Sequence, residues 1–381
     1  MDATLNTLCF DPIEFRKQLH RQPELSVQEK QTSAMIFSQL ENFGLSPTGH
    51  IGGYGIICIV DSGYDGETTL FRADFDALPI NEIATHDHVS ENVGVMHACG
   101  HDGHTSSLLM VAEQLSKSPP KTGKVILLFQ PAEETGTGAL SMLNDKALSS
   151  LKVDNVFAYH NLPGYPLNQI LIREGTFACA STGISIEFEG KTSHAARPEN
   201  GLSPCLAMIE TVNYLQSIPN MHPDVFSLVT IVHARLGEEA FGIAPGNAKV
   251  MATMRSDCNQ TFSNMKSNLL AMLDKLQQKT GIIVKVDWDE PFNAAFNSSK
   301  HCQIINQQAK QLGFTVESLN EPMRWSEDFS EFLLKWNGAL FCIGSGNSHP
   351  ELHNPDYDFP DEILKTASQL FISIVDQLHS N

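Results

Sequence analysis

Residues 124–134, with the sequence KVILLFQPAEE, decide the fold class of this chain. Lys124 to Phe129 form a nearly continuous apolar run, which is the pattern of a strand buried on both faces of a parallel sheet. The run is followed by the paired acids Glu133 and Glu134. Because ligands of such sheets collect beyond the carboxyl ends of the strands, these two carboxylates are candidates for a functional site.

The same pattern continues on both sides of this stretch. Apolar runs bounded by Gly, Asp or Pro predict further strands, and amphipathic runs between them predict helices. The predicted strands cover residues 54–60, 68–71, 153–159 and 338–343, and the predicted helices cover residues 11–22, 26–44, 105–115, 139–150, 302–312 and 361–379. This alternation is typical of an α/β domain. We therefore predict an α/β fold in which a mixed sheet carries the catalytic residues.

The pattern changes after Gly175. The following residues read strand, helix, strand, strand, helix, strand, at 184–190, 202–216, 225–236, 248–256, 260–280 and 282–290. This β-α-β-β-α-β order is typical of a ferredoxin-like unit with an antiparallel sheet. We therefore expect a metal-binding catalytic domain of residues 1–175 and 292–381, with a second domain of residues 176–291 inserted in it.

Residues 96–104, with the sequence MHACGHDGH, have the composition of a metal site. Zinc and similar divalent ions take thiolate, imidazole and carboxylate ligands, and Cys99 and His101 can deliver two of them from one loop. Further candidate ligands at other predicted strand ends are Glu134, His160 and His353. Five ligands are too many for one tetrahedral ion and suit two ions, with Glu133 left over as the general base for a water molecule.

Each candidate also has an ordinary alternative. A polar loop can be rich in histidine without binding a metal, and paired acids are common on surfaces. Isolated histidines are expected at the surface, and this applies to His20, His86, His222, His301 and His379. Within the 96–104 stretch, His97, Asp102 and His104 are expected to support the ligands or to begin the helix at Thr105.

The composition excludes several classes of partner. The formal net charge of −19 opposes binding to nucleic acid or to an anionic membrane, since both need clustered Lys and Arg. No apolar run approaches the roughly 18 residues of a spanning helix, and residues 1–9 lack the features of a signal peptide. Of the eight scattered cysteines, all but Cys99 are expected to be reduced, small apolar residues. These features predict a cytoplasmic protein.

Several separated motifs together resemble one known family. They are HACGHD at 97–102, PAEE at 131–134, YHN at 159–161, SHAARP at 193–198 and LHNP at 352–355, preceded by HRQPEL at 20–25 and RAD at 72–74. In this order they resemble the dinuclear metallopeptidase family of aminoacylases and carboxypeptidases. The likeness is strongest to its amidohydrolase branch, which includes hippurate hydrolases and indole-3-acetyl-amino acid hydrolases, and it covers nearly the whole chain.

The resemblance implies a role for each matching position. Glu133 would be the base, and two divalent ions would be bound by Cys99, His101, Glu134, His160 and His353. The inserted domain would be a lid that forms a homodimer contact. Its His194 would polarise the scissile carbonyl, in cis or from the partner subunit, and Arg255 would hold the substrate carboxylate.

Two positions depart from the family pattern. Arg72 stands where the wider family has a ligand histidine, which fits the branch in which the Cys99 loop supplies the metal instead. Residues 241–246, FGIAPG, lack the asparagine that the family commonly has before Val-Ile-Pro. The substrate contact made by that asparagine therefore has no counterpart at this position.

We therefore expect a metal-dependent amidohydrolase that cleaves a small N-acyl amino acid to a carboxylic acid and a free amino acid. A dipeptidase or carboxypeptidase would use the same residues. A metal-stabilised binding or scaffold protein would bind the metal without hydrolysis. The thiolate of Cys99 favours zinc, whereas carboxylate-rich sites and metal availability can favour manganese, cobalt or nickel.

Overall fold

The computed structural model describes residues 10–380, so the predictions about residues 1–9, including Cys9, fall outside it. The chain divides into two compact units. The first contains the chain up to Phe177, Phe296–Glu321 and the chain from Glu331 onward, and the second contains Ala178–Ala295 and Pro322–Ser330. The roles of these units as catalytic domain and lid stay predictions.

The strands and helices follow one another along the whole described range. The strands are β1 (Pro47–Ile51), β2 (Gly55–Asp61), β3 (Thr68–Asp74), β4 (Lys124–Gln130), β5 (Asn155–Leu162), β6 (Ile170–Ile172), β7 (Gly175–Ala178), β8 (Ala180–Glu189), β9 (Ser193–His194), β10 (Ser227–Leu236), β11 (Ile243–Ala244), β12 (Asn247–Ser256), β13 (Ile283–Phe292), β14 (Ala295–Asn297), β15 (Val316–Ser318) and β16 (Gly338–Gly344). The α-helices are α1 (Pro12–Arg21), α2 (Lys30–Asn42), α3 (His101–Lys117), α4 (Gly138–Asn144), α5 (Lys146–Ser149), α6 (Cys205–Ser217), α7 (Asn259–Thr280), α8 (Ser299–Gln311), α9 (Ser330–Lys335) and α10 (Glu362–Leu378).

An eight-stranded mixed sheet runs through the first unit in the order β1-β2-β4-β3-β5-β16-β6-β15. Its central strands β4, β3, β5 and β16 are parallel, whereas β2 and β6 pair antiparallel to them. The central strands are buried almost along their whole length, as expected for strands covered on both faces. The predicted α/β class with a mixed sheet is confirmed, and the carboxyl ends of four parallel strands meet at one edge.

Aromatic side chains join this sheet to a helix. The ring of Phe71 on β3 lies 5.7 Å from that of Phe157 on β5 and 4.7 Å from that of Phe371 on α10, and all three are fully buried. Burial of each such ring stabilises the fold by about 2–3 kcal/mol. Helix α3 packs against β3 and is contacted by α1 and α10, so three neighbouring elements hold it in place.

A four-stranded antiparallel sheet in the order β10-β12-β8-β13 forms the second unit. Buried and more exposed positions largely alternate along β12, which is the two-residue period of a sheet with one covered face. The cover comes from α6 and α7, which contribute Leu215 and Leu269 to the core. The order β8-α6-β10-β12-α7-β13 is the predicted β-α-β-β-α-β arrangement.

Some helix boundaries differ from the prediction. Asp11 caps α1 as predicted, accepting from two backbone N–H groups of the first turn. Helix α2 begins at Lys30 and not at Ser26, because the Ser26 hydroxyl donates to the carboxylate of Asp76 instead of capping a helix. The helix predicted at 139–150 is divided into α4 and α5, because Asp145 leaves the helical conformation and caps α5.

The prediction that isolated histidines lie at the surface was wrong for His20, His301 and His379, which are fully or nearly fully buried. Each ring has at least one polar partner, although Nδ1 of His301 has no hydrogen-bond partner among residues 10–380. Nε2 of His301 lies 3.0 Å from Oδ1 of Asn155, and Nε2 of His379 lies 2.9 Å from the hydroxyl of Thr69. A single sequence shows the histidine but not the partner that the fold brings to it.

Within residues 10–380, no helix is long and apolar enough to cross a bilayer. The seven cysteines in the same range are thiols and not disulfides, and five of them are buried.

Candidate metal centre

The first unit brings all five predicted metal ligands to one edge of its sheet. They are Cys99 in the loop before α3, His101 at the first position of α3, Glu134 after β4, His160 near the end of β5 and His353 after β16. Three triplets have their ligating atoms within 4.8 Å of one another: Cys99, Glu134 and His353; Cys99, His101 and His160; and His101, Glu133 and Glu134. Because the triplets share members, they form one continuous cluster.

Gly100 sets the geometry of the loop that carries two of these residues. Its φ of 93° lies in the left-handed region, and a Cβ at this position would lie 2.4 Å from Oδ1 of Asn161. Only glycine meets both conditions without strain. The chain therefore turns sharply after Cys99 and enters α3 at His101. The prediction that this helix begins at Thr105 was wrong.

The candidate ligand atoms lie close to one another. Sγ of Cys99 lies 3.4 Å from Nε2 of His160, and Nε2 of His353 lies 3.6 Å from Oε2 of Glu134. The backbone N–H of His353 donates to the carbonyl oxygen of Ala98 at 2.8 Å, which ties the two ligand loops together. Ligands of one tetrahedral ion lie about 3.4 Å apart, so these separations suit coordination. The side chain of His353 is 51% exposed, so the cluster is open to solvent on that side.

Two buried polar atoms in the cluster, Nε2 of His101 and Oε1 of Glu134, have no hydrogen-bond partner among residues 10–380. Burial raises the pKa of Glu134 to about 8, although His101 acts in the opposite direction. Burial also disfavours a charged His101, but Asp74 and Asp76 outweigh it and raise the pKa of the ring to about 10. Buried polar groups are nearly always paired. A cation between these two atoms would satisfy both, so the residues fit divalent metal ions.

Asp76 orients two of the candidate ligands. Its Oδ1 lies 3.2 Å from Nδ1 of His101, and its Oδ2 accepts the backbone N–H of Glu134 at 3.0 Å. With Nδ1 engaged, the imidazole presents Nε2 to the cluster, which is the carboxylate–imidazole–metal arrangement of many metal centres. The role of Asp76 was not predicted. The signal for it was the Asp-x-Asp spacing of Asp74 and Asp76 at the end of a strand.

His104 supports the cluster from behind. Its Nδ1 lies 2.5 Å from Oδ1 of Asp74 and its Nε2 lies 2.5 Å from Oδ1 of Asn161. Asp74 also forms a buried ion pair with Arg72. Both ring nitrogens of His104 are therefore occupied, which agrees with the supporting role expected for it.

Glu133 lies beside the cluster after a sharp change in chain direction. Ala132 adopts a φ of 53°, a conformation that costs a non-glycine residue about 1–3 kcal/mol. The Ala132 N–H donates to Oε1 of Glu29 at 2.8 Å, which holds this turn. Oε2 of Glu133 then lies 4.0 Å from Nε2 of His101. The carboxylate is mostly buried and can reach a water molecule at the cluster.

His160 lies within β5 and not after its end, because the strand continues to Leu162. Its residue pair on β16 is Cys342. Nδ1 of His160 donates to the backbone oxygen of Asn161 at 2.7 Å, and Nε2 is directed to Cys99. The strand itself, and not a loop, fixes this imidazole.

The remaining predicted residues belong to the second unit. His194 is exposed on β9, and its Nδ1 accepts the N–H of Ala196 at 3.0 Å. Arg255 on β12 is partly buried, and its Nη1 donates to the carbonyl oxygen of Arg324 at 2.9 Å and to the hydroxyl of Ser326 at 3.3 Å. The roles of both residues stay predictions.

Comparison with known proteins gives a family match and similar individual proteins. The profile of peptidase family M20/M25/M40 matches residues 70–377. The chain is 30% identical over 365 residues to the hippurate hydrolase of Campylobacter jejuni, with 95% of this chain and 94% of that protein covered. It is 31% identical over 377 residues to IAA-amino acid hydrolase ILR1-like 5 of Arabidopsis thaliana, with 95% and 85% covered.

A solved structure agrees with these matches. The Bacillus subtilis YXEP protein, described as a dinuclear metal-binding peptidase of the M20 family, has a TM-score of 0.82 at 27% identity and covers 97% of this chain and 98% of its own. The predicted resemblance is confirmed, and so is the predicted class of enzyme, a metal-dependent hydrolase of amide bonds. The chain belongs to peptidase family M20/M25/M40.

Proposed function

We propose that this protein cleaves the amide bond of small N-acyl amino acids and releases a carboxylic acid and a free amino acid. The observation that carries the proposal is the buried cluster of Cys99, His101 and Glu134 with the carboxylate of Glu133 beside it. The relatives named hippurate hydrolase and IAA-amino acid hydrolase support the substrate class, because both names describe hydrolysis of an amino-acid conjugate.

We propose that the cluster holds two divalent metal ions. The five residues that would hold them are Cys99, His101, Glu134, His160 and His353. The thiolate favours zinc, and manganese is the next candidate, with cobalt and nickel as alternatives. When bound, the ions supply Lewis acidity that polarises the amide carbonyl and lowers the pKa of a water molecule.

Glu133 acts as general base and then as general acid. Its carboxylate takes a proton from the attacking water, and the same proton passes to the nitrogen of the leaving amino acid when the amide bond breaks. The position of Glu133 next to His101 supports this role, since it lies beside the ligands.

His194 donates a hydrogen bond to the oxyanion that forms at the amide carbonyl. Because Nδ1 accepts the N–H of Ala196, the neutral ring carries its proton on Nε2, where it is available as a donor. The exposed position of His194 suits a contact with substrate in the same chain or in the partner of a homodimer formed through the second unit. Arg255 binds the carboxylate of the substrate.

We also propose a cytoplasmic location. The seven cysteines in the described range are thiols, and disulfides rarely persist in the reducing cytosol.

A hydrolysis panel tests the proposed activity. Protein loaded with zinc or manganese is given N-acetyl amino acids, N-benzoyl amino acids and unmodified dipeptides, and release of the free amino acid is measured. Faster hydrolysis of the acylated compounds is expected. A preference for dipeptides would assign the site to a dipeptidase. Bound metal without hydrolysis of any compound would indicate that the protein is a metal-stabilised binding protein and not an enzyme. The Glu133→Gln protein controls for contaminating hydrolases.

A further inference from the structure

A second group of histidines and carboxylates lies in the first unit and shares no residue with the candidate metal centre. His20 comes from the end of α1, Glu82 and His86 from the loop between β3 and α3, and Asp358 from the loop before α10. One ligating atom from each of His20, His86 and Asp358 lies within 4.8 Å of the others. Three segments distant in sequence therefore converge on one point.

His20 is arranged as a metal ligand would be. The side chain is fully buried, and its Nδ1 lies 2.9 Å from Oδ2 of the buried Asp102. With Nδ1 held by that carboxylate, Nε2 is directed toward the group and lies 3.2 Å from Oε1 of Glu82. The same arrangement of carboxylate and imidazole is formed by Asp76 and His101.

Contacts outside the group also orient the side chains of Glu82 and His86. Oε2 of Glu82 accepts the N–H of Ser90 at 2.6 Å, so that Oε1 remains directed toward the two imidazoles. The ring of His86 stacks on that of His88 with centroids 3.7 Å apart. Nε2 of His86 lies 3.1 Å from Oε1 of Glu82, yet both ring nitrogens are buried without a well-aligned hydrogen bond in the described part of the chain. Such atoms usually have a partner.

The carboxylates of this region outnumber the buried guanidinium group of Arg16. Arg16 is fully buried and pairs with three carboxylates, those of Asp102, Asp358 and Asp361. Glu82 adds a fourth. Although burial opposes protonation, Asp102 and Glu82 raise the pKa of His20 to about 9, so this ring offsets part of the negative charge when no metal is bound. Buried charge that is not compensated is costly, and a divalent cation at Nε2 of His20 would replace that proton and compensate more of the excess.

We propose that His20, His86 and Asp358, together with Glu82, bind a divalent transition-metal ion such as zinc at a site separate from the catalytic cluster. Imidazole and carboxylate are ligands that zinc uses. A tetrahedral zinc ion brings its ligand atoms to about 3.4 Å from one another, and one ligating atom from each of His20, His86 and Asp358 already lies within 4.8 Å of the others. The bound ion joins α1 to two loops of the first unit, so its role is structural.

Zinc stoichiometry tests the site directly. The whole protein, the His86→Leu variant and a matched His233→Leu variant, which changes an exposed histidine of the second unit, are equilibrated with zinc ions and then analysed for metal. His86→Leu should hold one zinc ion fewer per chain than the other two proteins. Because His86 is partly exposed on a loop, this variant should fold, and its circular dichroism spectrum checks this. Asp358→Asn, which keeps the side-chain shape, should also weaken zinc binding at this site.

Diffraction at the zinc absorption edge locates the ion independently of any variant. An anomalous peak between His20, His86 and Asp358 is expected. Equal zinc content in the wild type and both His86→Leu and Asp358→Asn, or anomalous density confined to the Cys99 cluster, would overturn the proposal and show that the group is an ion-pair network without metal. Neither readout depends on hydrolysis, so failure of the proposed activity would leave this test unaffected.

Discussion

Oδ1 of Asp76 lies 3.2 Å from Nδ1 of His101, and both side chains are buried. The Asp76→Asn variant would keep the volume of the side chain but replace an acceptor-only carboxylate with an amide. We expect it to weaken metal binding at the catalytic cluster by about 10–100-fold, measured by competition with a chromogenic chelator. Asp61→Asn, which changes an exposed carboxylate on β2, is the matched control. Nδ1 of His101 also lies 3.0 Å from the backbone oxygen of Asp76, so unchanged affinity in Asp76→Asn would show that the carboxylate is not needed to orient the ring.

Metal content should distinguish the role of Glu133 from that of Glu134. Glu133→Gln is expected to keep the metal content of the wild type while kcat falls by about 10²–10⁴-fold, because the proton acceptor is lost. Glu134→Gln is expected to lose metal as well as activity, since it removes a candidate ligand. Elemental analysis together with steady-state kinetics distinguishes the two. Near-normal turnover in Glu133→Gln would remove this residue from the role of base.

Gly100→Ala should lower the free energy of unfolding more than Gly94→Ala, although both positions have a left-handed backbone. Gly94 has a φ of 82°, close to the 93° of Gly100, but a Cβ at Gly94 meets no atom within 4 Å. Both variants carry the cost of a left-handed conformation, about 1–2 kcal/mol, and only Gly100→Ala adds a clash with Asn161. Urea unfolding of the metal-free proteins measures the difference. Equal loss in the two variants would show that the close approach has no energetic consequence.

His194→Ala should lower kcat without changing metal content. Loss of one oxyanion donor commonly costs about 10²–10³-fold in kcat. His233→Ala, at another exposed histidine of the second unit, is the matched control and should retain full activity. Mixing His194→Ala with Glu133→Ala adds a second measurement. Recovery of activity in the mixture places His194 in the partner's active site, and no recovery despite subunit exchange places it in its own.

Because of His301, the free energy of unfolding should decrease in mild acid. Burial lowers the pKa of its ring from 6.5 to about 4. Between these pH values the unfolded chain binds a proton that the folded chain does not, so the free energy of unfolding decreases as pH falls from 6.5 to 4. The loss for this one group is on the order of 3 kcal/mol.

The His301→Gln variant isolates this effect. Gln can still donate to Asn155 but does not titrate. Urea unfolding at pH 7 and pH 4.5, with chelator in both, should show a smaller decrease in the variant than in the wild type. Parallel decreases would mean that His301 does not contribute to the acid sensitivity.

The sequence pattern predicted the central strands more accurately than it predicted the ends of the helices. The run from Lys124 to Phe129 marks a central strand that is buried from Val125 onward, and its carboxyl end lies where the other candidate ligands gather. Hydrophobic runs are a strong signal because burial on both faces requires them. The start of α3 was misplaced because its cap is the left-handed Gly100, and a cap of this kind has no side-chain signal.

Partners that come from distant parts of the chain could not be predicted. The expectation for His20 failed because Asp102 and Glu82 meet it only in the folded chain. Asp76 was visible as one of two neighbouring acids, but its link to His101 depends on the loop that brings the imidazole to it. A motif names residue types, whereas orientation depends on the tertiary contacts of each side chain.

The second unit includes Pro322–Ser330, which is separated from the rest of that unit in the sequence by Phe296–Glu321 of the first unit. Carbonyl oxygens of Met323 and Trp325 accept the N–H of Cys179, and Arg324 supplies the carbonyl oxygen that Arg255 binds. A fragment that ended at Ala295 would lack all of these acceptors. The unit is therefore a discontinuous module. It can be exchanged between relatives, or produced on its own, only if a short piece from much later in the sequence is carried with it.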